Sequence, residues 1–155
     1  MLNSNTQLRL IALKISNLLK KYVAIHNIVF KFSWRRIIYL PFIFEAIDFN
    51  NLCNQVKQIL SELETYNQQI NRLIENTTQK ENLFARSLLK YCIALMETIS
   101  LLKELLYQLY LKSKKLNKYN LNKYNKQYNL YKDSIGKYIG IGEQLSELYQ
   151  GLWGQ

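Results

Sequence analysis

Residues 48–73 read DFNNLCNQVKQILSELETYNQQINRL, and the apolar side chains in this stretch decide the fold class. Phe49, Leu52, Val56, Ile59, Leu63, Tyr66, Ile70 and Leu73 follow one another at alternating steps of three and four, with mostly polar residues between. On an α-helix such steps return each side chain to one stripe, so the segment predicts an amphipathic helix whose seam must face another helix. Asp48 stands where an N-cap is needed, because its carboxylate accepts from backbone N–H groups that the first turn leaves unpaired.

Working outward, Glu75, Asn76 and Thr77 lead into Thr78 and Glu81, a capping-box pattern that marks the start of another helix. Its seam is Phe84, Leu88, Tyr91, Leu95, Thr98, Leu102, Leu105 and Leu109, with Leu89, Cys92, Met96, Ile99 and Leu106 forming a second stripe beside it. Two adjacent stripes mean two neighbours, so this helix is expected at the centre, antiparallel to the preceding one across a short turn near residue 77. Upstream, Ser4 and Gln7 form another capping-box pattern, and Leu8, Ile11, Ile15, Leu18, Tyr22 and Ile25 give a first amphipathic helix. Lys14, Asn17, Lys20 and Lys21 fall off its stripe, as a solvated face requires.

Downstream, residues 116–125 are two identical copies of Leu-Asn-Lys-Tyr-Asn, a segment whose asparagines favour caps and turns and so mark a helix boundary. Replication slippage is the better explanation of how such a duplication arose, and two copies do not make a solenoid. Beyond it Tyr124, Tyr128, Tyr131, Ile135, Tyr138, Leu145, Tyr149 and Leu152 continue a helical seam, with Gly142 at its one missing position. Gly136, Gly140 and Gly142 weaken that helix by roughly 1 kcal/mol each relative to Ala, which predicts a kink or a close helix contact.

The expected fold is therefore all-α, an antiparallel helical bundle of about four helices with coiled-coil-like seams. A chain of 155 residues suits one domain, with helices at roughly 5–30, 48–75, 79–116 and 124–150 and an apolar connector at 31–47. Pro41 is the only proline and there are five glycines, too little turn-forming material for a many-stranded sheet. Residues 22–47 are the most apolar stretch, but Lys31, Arg35, Arg36 and Pro41 interrupt it before it reaches a bilayer-spanning length. Two readings of this connector stand: a buried element packed on the core, or a docking element in which Phe30, Phe32, Trp34, Tyr39, Phe42 and Phe44 supply contact area.

Catalytic chemistry has no visible seat. His26 is the only histidine, phosphate-loop, dinucleotide and nucleophile-elbow motifs are absent, and the carboxylates are dispersed, so neither enzyme activity nor a metal or other cofactor is expected. Cys53 and Cys92 lie inside helical patterns, which favours a reducing compartment over a disulfide framework. Arg9 and Lys14 break the apolar core that a signal peptide needs, so a cytoplasmic location is expected, with an acid-poor organelle transit peptide as the alternative.

The charge pattern is what points to a partner. The net charge of +10 favours anionic partners, and it is uneven: residues 1–48 carry seven basic and two acidic groups, 49–111 six of each, and 112–138 eight lysines against Asp133. Part of the lysine usage, 16 against 5 Arg, matches AT-rich coding bias, which explains single lysines better than their clustering. Lys112, Lys114, Lys115, Lys118, Lys123, Lys126, Lys132 and Lys137 would neutralise phosphates, and Tyr119, which lies off the seam, would offer a ring for unpaired bases. The structural alternative is a solvated lysine face above seam tyrosines. The sequence thus predicts a non-catalytic accessory or adaptor subunit that binds RNA or DNA with low specificity and associates with a protein partner or with itself. A coiled-coil adaptor without nucleic-acid binding, or a peripheral protein touching a membrane surface through residues 1–47, are the other expectations.

Overall fold

The seam of residues 49–73 packs as its spacing requires. The computed structural model describes residues 3–35 and 47–154, with side chains for all of these but 31–35. They form four helices, α1 (Ser4–Arg35), α2 (Phe49–Ile74), α3 (Gln79–Ser113) and α4 (Leu121–Trp153), with no strand among the described residues. The molecule is an all-α four-helix bundle. Phe49, Leu52, Val56, Ile59, Leu63 and Ile70 are buried, with Tyr66 and Leu73 half-buried beside them.

α2 and α3 make an antiparallel hairpin. The Asn82 amide donates to the Ile74 carbonyl at 2.9 Å near the turn, and further along the Cys92 thiol donates to the Leu63 carbonyl at 3.5 Å. α3 is the central helix and uses both of its stripes: Phe84, Leu88, Leu95, Leu102 and Leu105 are buried on one, Cys92, Ile99 and Leu106 on the other. Truncating Leu88 or Leu102 to Ala would therefore cost about 2–5 kcal/mol through lost burial and a residual cavity. The α2 seam finds its partner inside the chain and needs no outside helix to cover it.

The caps explain where the helices begin. α1 starts at Ser4 rather than being capped by it; the Asn3 side chain accepts from the Asn5 N–H at 3.1 Å and the Asn3 carbonyl from the Gln7 N–H at 3.0 Å. Asp48 caps α2 by accepting from the Asn51 N–H at 3.0 Å. At α3 the Glu81 carboxylate reaches back to the Thr78 N–H at 2.9 Å, and that bond, with a second from the Asn5 amide at 2.8 Å, holds its pKa below the usual value. α1 runs on through residues 31–35, where a connector was expected; the remainder of that connector, 36–46, lies outside the described residues.

α3 ends at Ser113 and α4 begins at Leu121, so the link takes in the whole first pentapeptide copy and α4 opens on the second. The end of α3 is a Schellman closure. The Leu116 N–H bonds the Leu111 carbonyl at 3.0 Å and the Lys115 N–H bonds the Lys112 carbonyl at 3.1 Å, with Lys115 at φ 54° in the left-handed region. Asn120, the last residue of the first copy, then caps α4 by accepting from the Lys123 N–H at 3.1 Å.

α4 lies antiparallel on α3, and α1 leans on α2 and α3, giving an up-down-up-down order. α4 is one continuous helix; the glycine expectation is met by a close approach at Gly142, where a Cβ would stand 3.0 Å from the Tyr91 ring. α1 and α4 meet through long side chains only. At one end Tyr22 and Tyr131 share a 2.7 Å hydroxyl bond and His26 Nδ1 lies 2.8 Å from the Tyr131 hydroxyl; at the other Trp153 Nε1 donates to Asn5 Oδ1 at 2.7 Å.

Candidate nucleic-acid interface

Lysine reaches water easily from a turn or from the outer face of a helix, and all eight candidates do. Lys112 at the end of α3, Lys114, Lys115 and Lys118 in the link, and Lys123, Lys126, Lys132 and Lys137 on α4 are exposed. Lys137 sits 3.2 Å from Glu97, with both side chains more than half exposed, so that pair adds little stability. It is the single ion pair among the described residues, and the other seven lysines have no carboxylate partner there.

Beneath these charges runs a ladder of rings. Tyr119 and Tyr124 have centroids 6.5 Å apart, Tyr124 and Tyr128 stack at 6.2 Å and 5°, and Tyr128 meets Phe30 at 5.5 Å. Tyr119, expected as an exposed stacking ring, is half-buried, with the Lys112 ammonium 5.6 Å from its centroid; Lys132 stands 5.1 Å from the Tyr128 ring in the same way. The rings therefore serve one another and the lysines above them, and contacts of this cation–π kind hold ammonium groups over the surface.

The ladder leads into the core. Tyr131 is fully buried, and its hydroxyl is hydrogen-bonded both to the Tyr22 hydroxyl and to His26 Nδ1. Burial pushes the pKa of Tyr22, Tyr131, Tyr91 and Tyr138 above the ordinary tyrosine value, since a phenolate there would lose its water. Of the expected docking residues, Phe30 is half-buried against His26, Tyr128 and Tyr131. Phe32 and Trp34 fall in the last turns of α1, whose side chains are not described, and Tyr39, Phe42 and Phe44 lie outside the described residues.

Tertiary structure adds what the lysine cluster alone does not reveal. The C-terminal half of α1, the N-terminal half of α2, the C-terminal half of α3 and the N-terminal half of α4 share one end of an up-down-up-down bundle. Residues 20–35, 47–61 and 98–136, which belong to that end, hold 13 basic and 3 acidic groups, whereas 3–19, 62–97 and 137–154 hold 7 of each. The positive excess of the described residues therefore lies at that end. Lys20, Lys21, Lys57, Lys103, Lys31 and Arg35 thus join the candidate set, the last two placed by backbone alone. The signal was present in the two basic segments of the sequence, but only antiparallel order brings them together.

The described residues hold no group of three or more His, Cys, Asp or Glu side chains able to bind a metal ion, and no helix among them is long and apolar enough to cross a membrane. No protein family, curated protein or solved structure matches the chain.

Proposed function

We propose that this protein is a non-catalytic helical accessory or adaptor subunit that holds nucleic acid against the basic end of its bundle. Lys112, Lys114, Lys115, Lys118, Lys123, Lys126 and Lys132 are the principal phosphate contacts, with Lys137, paired to Glu97, at their margin. The observation that carries this is the segregation of charge: among the described residues the positive excess lies at one end, and Lys112, Lys114, Lys115, Lys118, Lys123, Lys126 and Lys132 are exposed there without a carboxylate partner. Such an end concentrates a polyanion by counterion release and steers its approach. Because the tyrosine rings are occupied with one another, binding is led by the sugar–phosphate backbone and has low sequence specificity. Association with a protein partner or a second copy is the adaptor half of the proposal, and residues 30–44 are its proposed surface.

Replacing Lys114, Lys115, Lys118, Lys123 and Lys126 by Gln tests the nucleic-acid half. The log affinity against log salt slope should flatten by roughly 3.5 for single strands or 4.5 for duplex, with melting nearly unchanged. Replacing Arg72, Lys80, Arg86 and Lys90 at the balanced end is the control, and should leave the slope almost untouched. Equal slopes for both variants would overturn the proposal. Flotation of the same preparation with acidic vesicles distinguishes a nucleic-acid surface from a membrane surface.

A further inference from the structure

The fourth side of the bundle is open in its middle. α1 and α4 are tied at one end by Tyr22 and His26 on Tyr131, and at the other by Asn5 on Trp153 and by Arg9, whose Nε donates to the Tyr149 hydroxyl at 3.4 Å. Among the described residues no Cα of α1 comes within 8 Å of one of α4, and a cleft of about 420 Å³ lies between the ties. Small residues make it: Ala12 and Ser16 on α1 and Gly142 and Ser146 on α4 form its walls, and Phe84 and Leu88 of α3 line it from below. Leu13, at its edge, is 47% exposed.

We propose that this cleft takes the chain of one free carboxylate amphiphile, a fatty acid of medium length, with its head beside Arg9. The volume of about 420 Å³ is in the range of small-molecule sites and accommodates a single acyl chain. The wall from Ala12 to Leu19 runs about 10 Å at the helical rise, long enough for roughly eight to ten carbons in extended form. Charge selects the head group. Arg9 stands at the end marked by Tyr149, which lines the cleft, so a carboxylate there meets a guanidinium and a phenol. Glu143 and Glu147 flank Gly142 and Ser146 in sequence on α4 and are exposed, which disfavours an anion along that wall and confines the head group to the Arg9 end. The cleft lies over residues of α1, α3 and α4 away from the lysine link, so this site is independent of nucleic-acid binding.

Straight-chain carboxylates of about six to about fourteen carbons, each below its micelle concentration, are titrated into the full chain by calorimetry, and affinity should rise about threefold to fourfold per methylene. The rise should stop once the chain fills the cleft, near ten carbons by the wall length of about 10 Å. A response with no dependence on chain length overturns the proposal. Ser146→Phe fills the cleft from an exposed position and should abolish decanoate binding without lowering the melting temperature. Ser16→Leu fills it from the opposite wall and keeps the test decisive if the first variant folds poorly. Decanoate binding unchanged in a folded cleft-filling variant overturns the site. Arg9→Gln should weaken decanoate about tenfold and leave decanol unaffected; equal effects on both overturn the placement of the head.

Discussion

The two copies of Leu-Asn-Lys-Tyr-Asn have identical residues and different structures. Residues 116–120 are the non-helical link, while 121–125 are the first turn of α4. What separates them is their neighbours. The first copy follows Lys115, whose left-handed backbone closes α3, and it ends on Asn120, whose side chain opens α4; the second copy simply occupies the turn that Asn120 has capped. Asn120 works as a cap, whereas Asn125 stands exposed inside a helix where asparagine is a weak former. The tyrosines diverge less: Tyr119 and Tyr124 are both half-buried in one ring ladder. Lys118 and Lys123 do not diverge at all in what matters for binding, since both face water. A five-residue pattern thus fixes which side chains are wet more firmly than it fixes the backbone.

The largest expected effect lies where the second copy's helix enters the core. Tyr22, Tyr91 and Tyr131 are buried with raised pKa values, and each is neutral when protonated. A raised folded pKa contributes stability that is fully present below the unfolded value of about 10 and is lost as pH rises beyond it, by up to about 1.4 kcal/mol per pH unit per tyrosine. The urea midpoint should stay level from neutral pH to about 9.5 and then fall steeply, less so in Tyr131→Phe. A midpoint that is level through pH 11 would place these rings in water and dissolve the contrast between the link and the helix it leads into.

Next in size is the pair of asparagines. Asn120→Ala should cost about 1 kcal/mol by removing a cap, and Asn125→Ala should gain roughly 0.5 kcal/mol from helix propensity. Chemical denaturation of the two variants reads the difference directly, and equal changes would mean that the copies do not differ as described. Lys115→Gly relieves the left-handed strain and should stabilise the protein by about 0.5–1 kcal/mol. A loss of stability there would argue against the Schellman closure. The smallest effect sharpens the last point of the comparison: Lys118→Gln and Lys123→Gln should each lower the salt slope by the same amount, roughly 0.7 for single strands. Unequal slopes would show that backbone conformation, and not exposure alone, sets phosphate contact.

The four helices, the central place of the third, the caps at Asp48 and Thr78, and the exposed lysines of 112–137 were all legible in the order of residues. All of these follow from relations among residues within a few turns of one another: a stripe repeats every three or four positions, and a cap bonds a backbone group two or three residues away. Where two local devices compete, the sequence was less decisive. Ser4 was expected as the first cap, but the Asn3 side chain takes that place, and the duplicated pentapeptide offered a boundary without saying which copy was helical. Tyr119 looked exposed because it lies off the seam, but its ring finds Tyr124 and the Lys112 ammonium. That the basic segments meet at one end, and that α1 and α4 stand apart around an apolar cleft, emerges from the packing of the helices. Helices of alternating direction bring together residues far apart in the chain, and the spacing of two backbones depends on the side chains of both, so neither fact is carried by any one stretch of sequence.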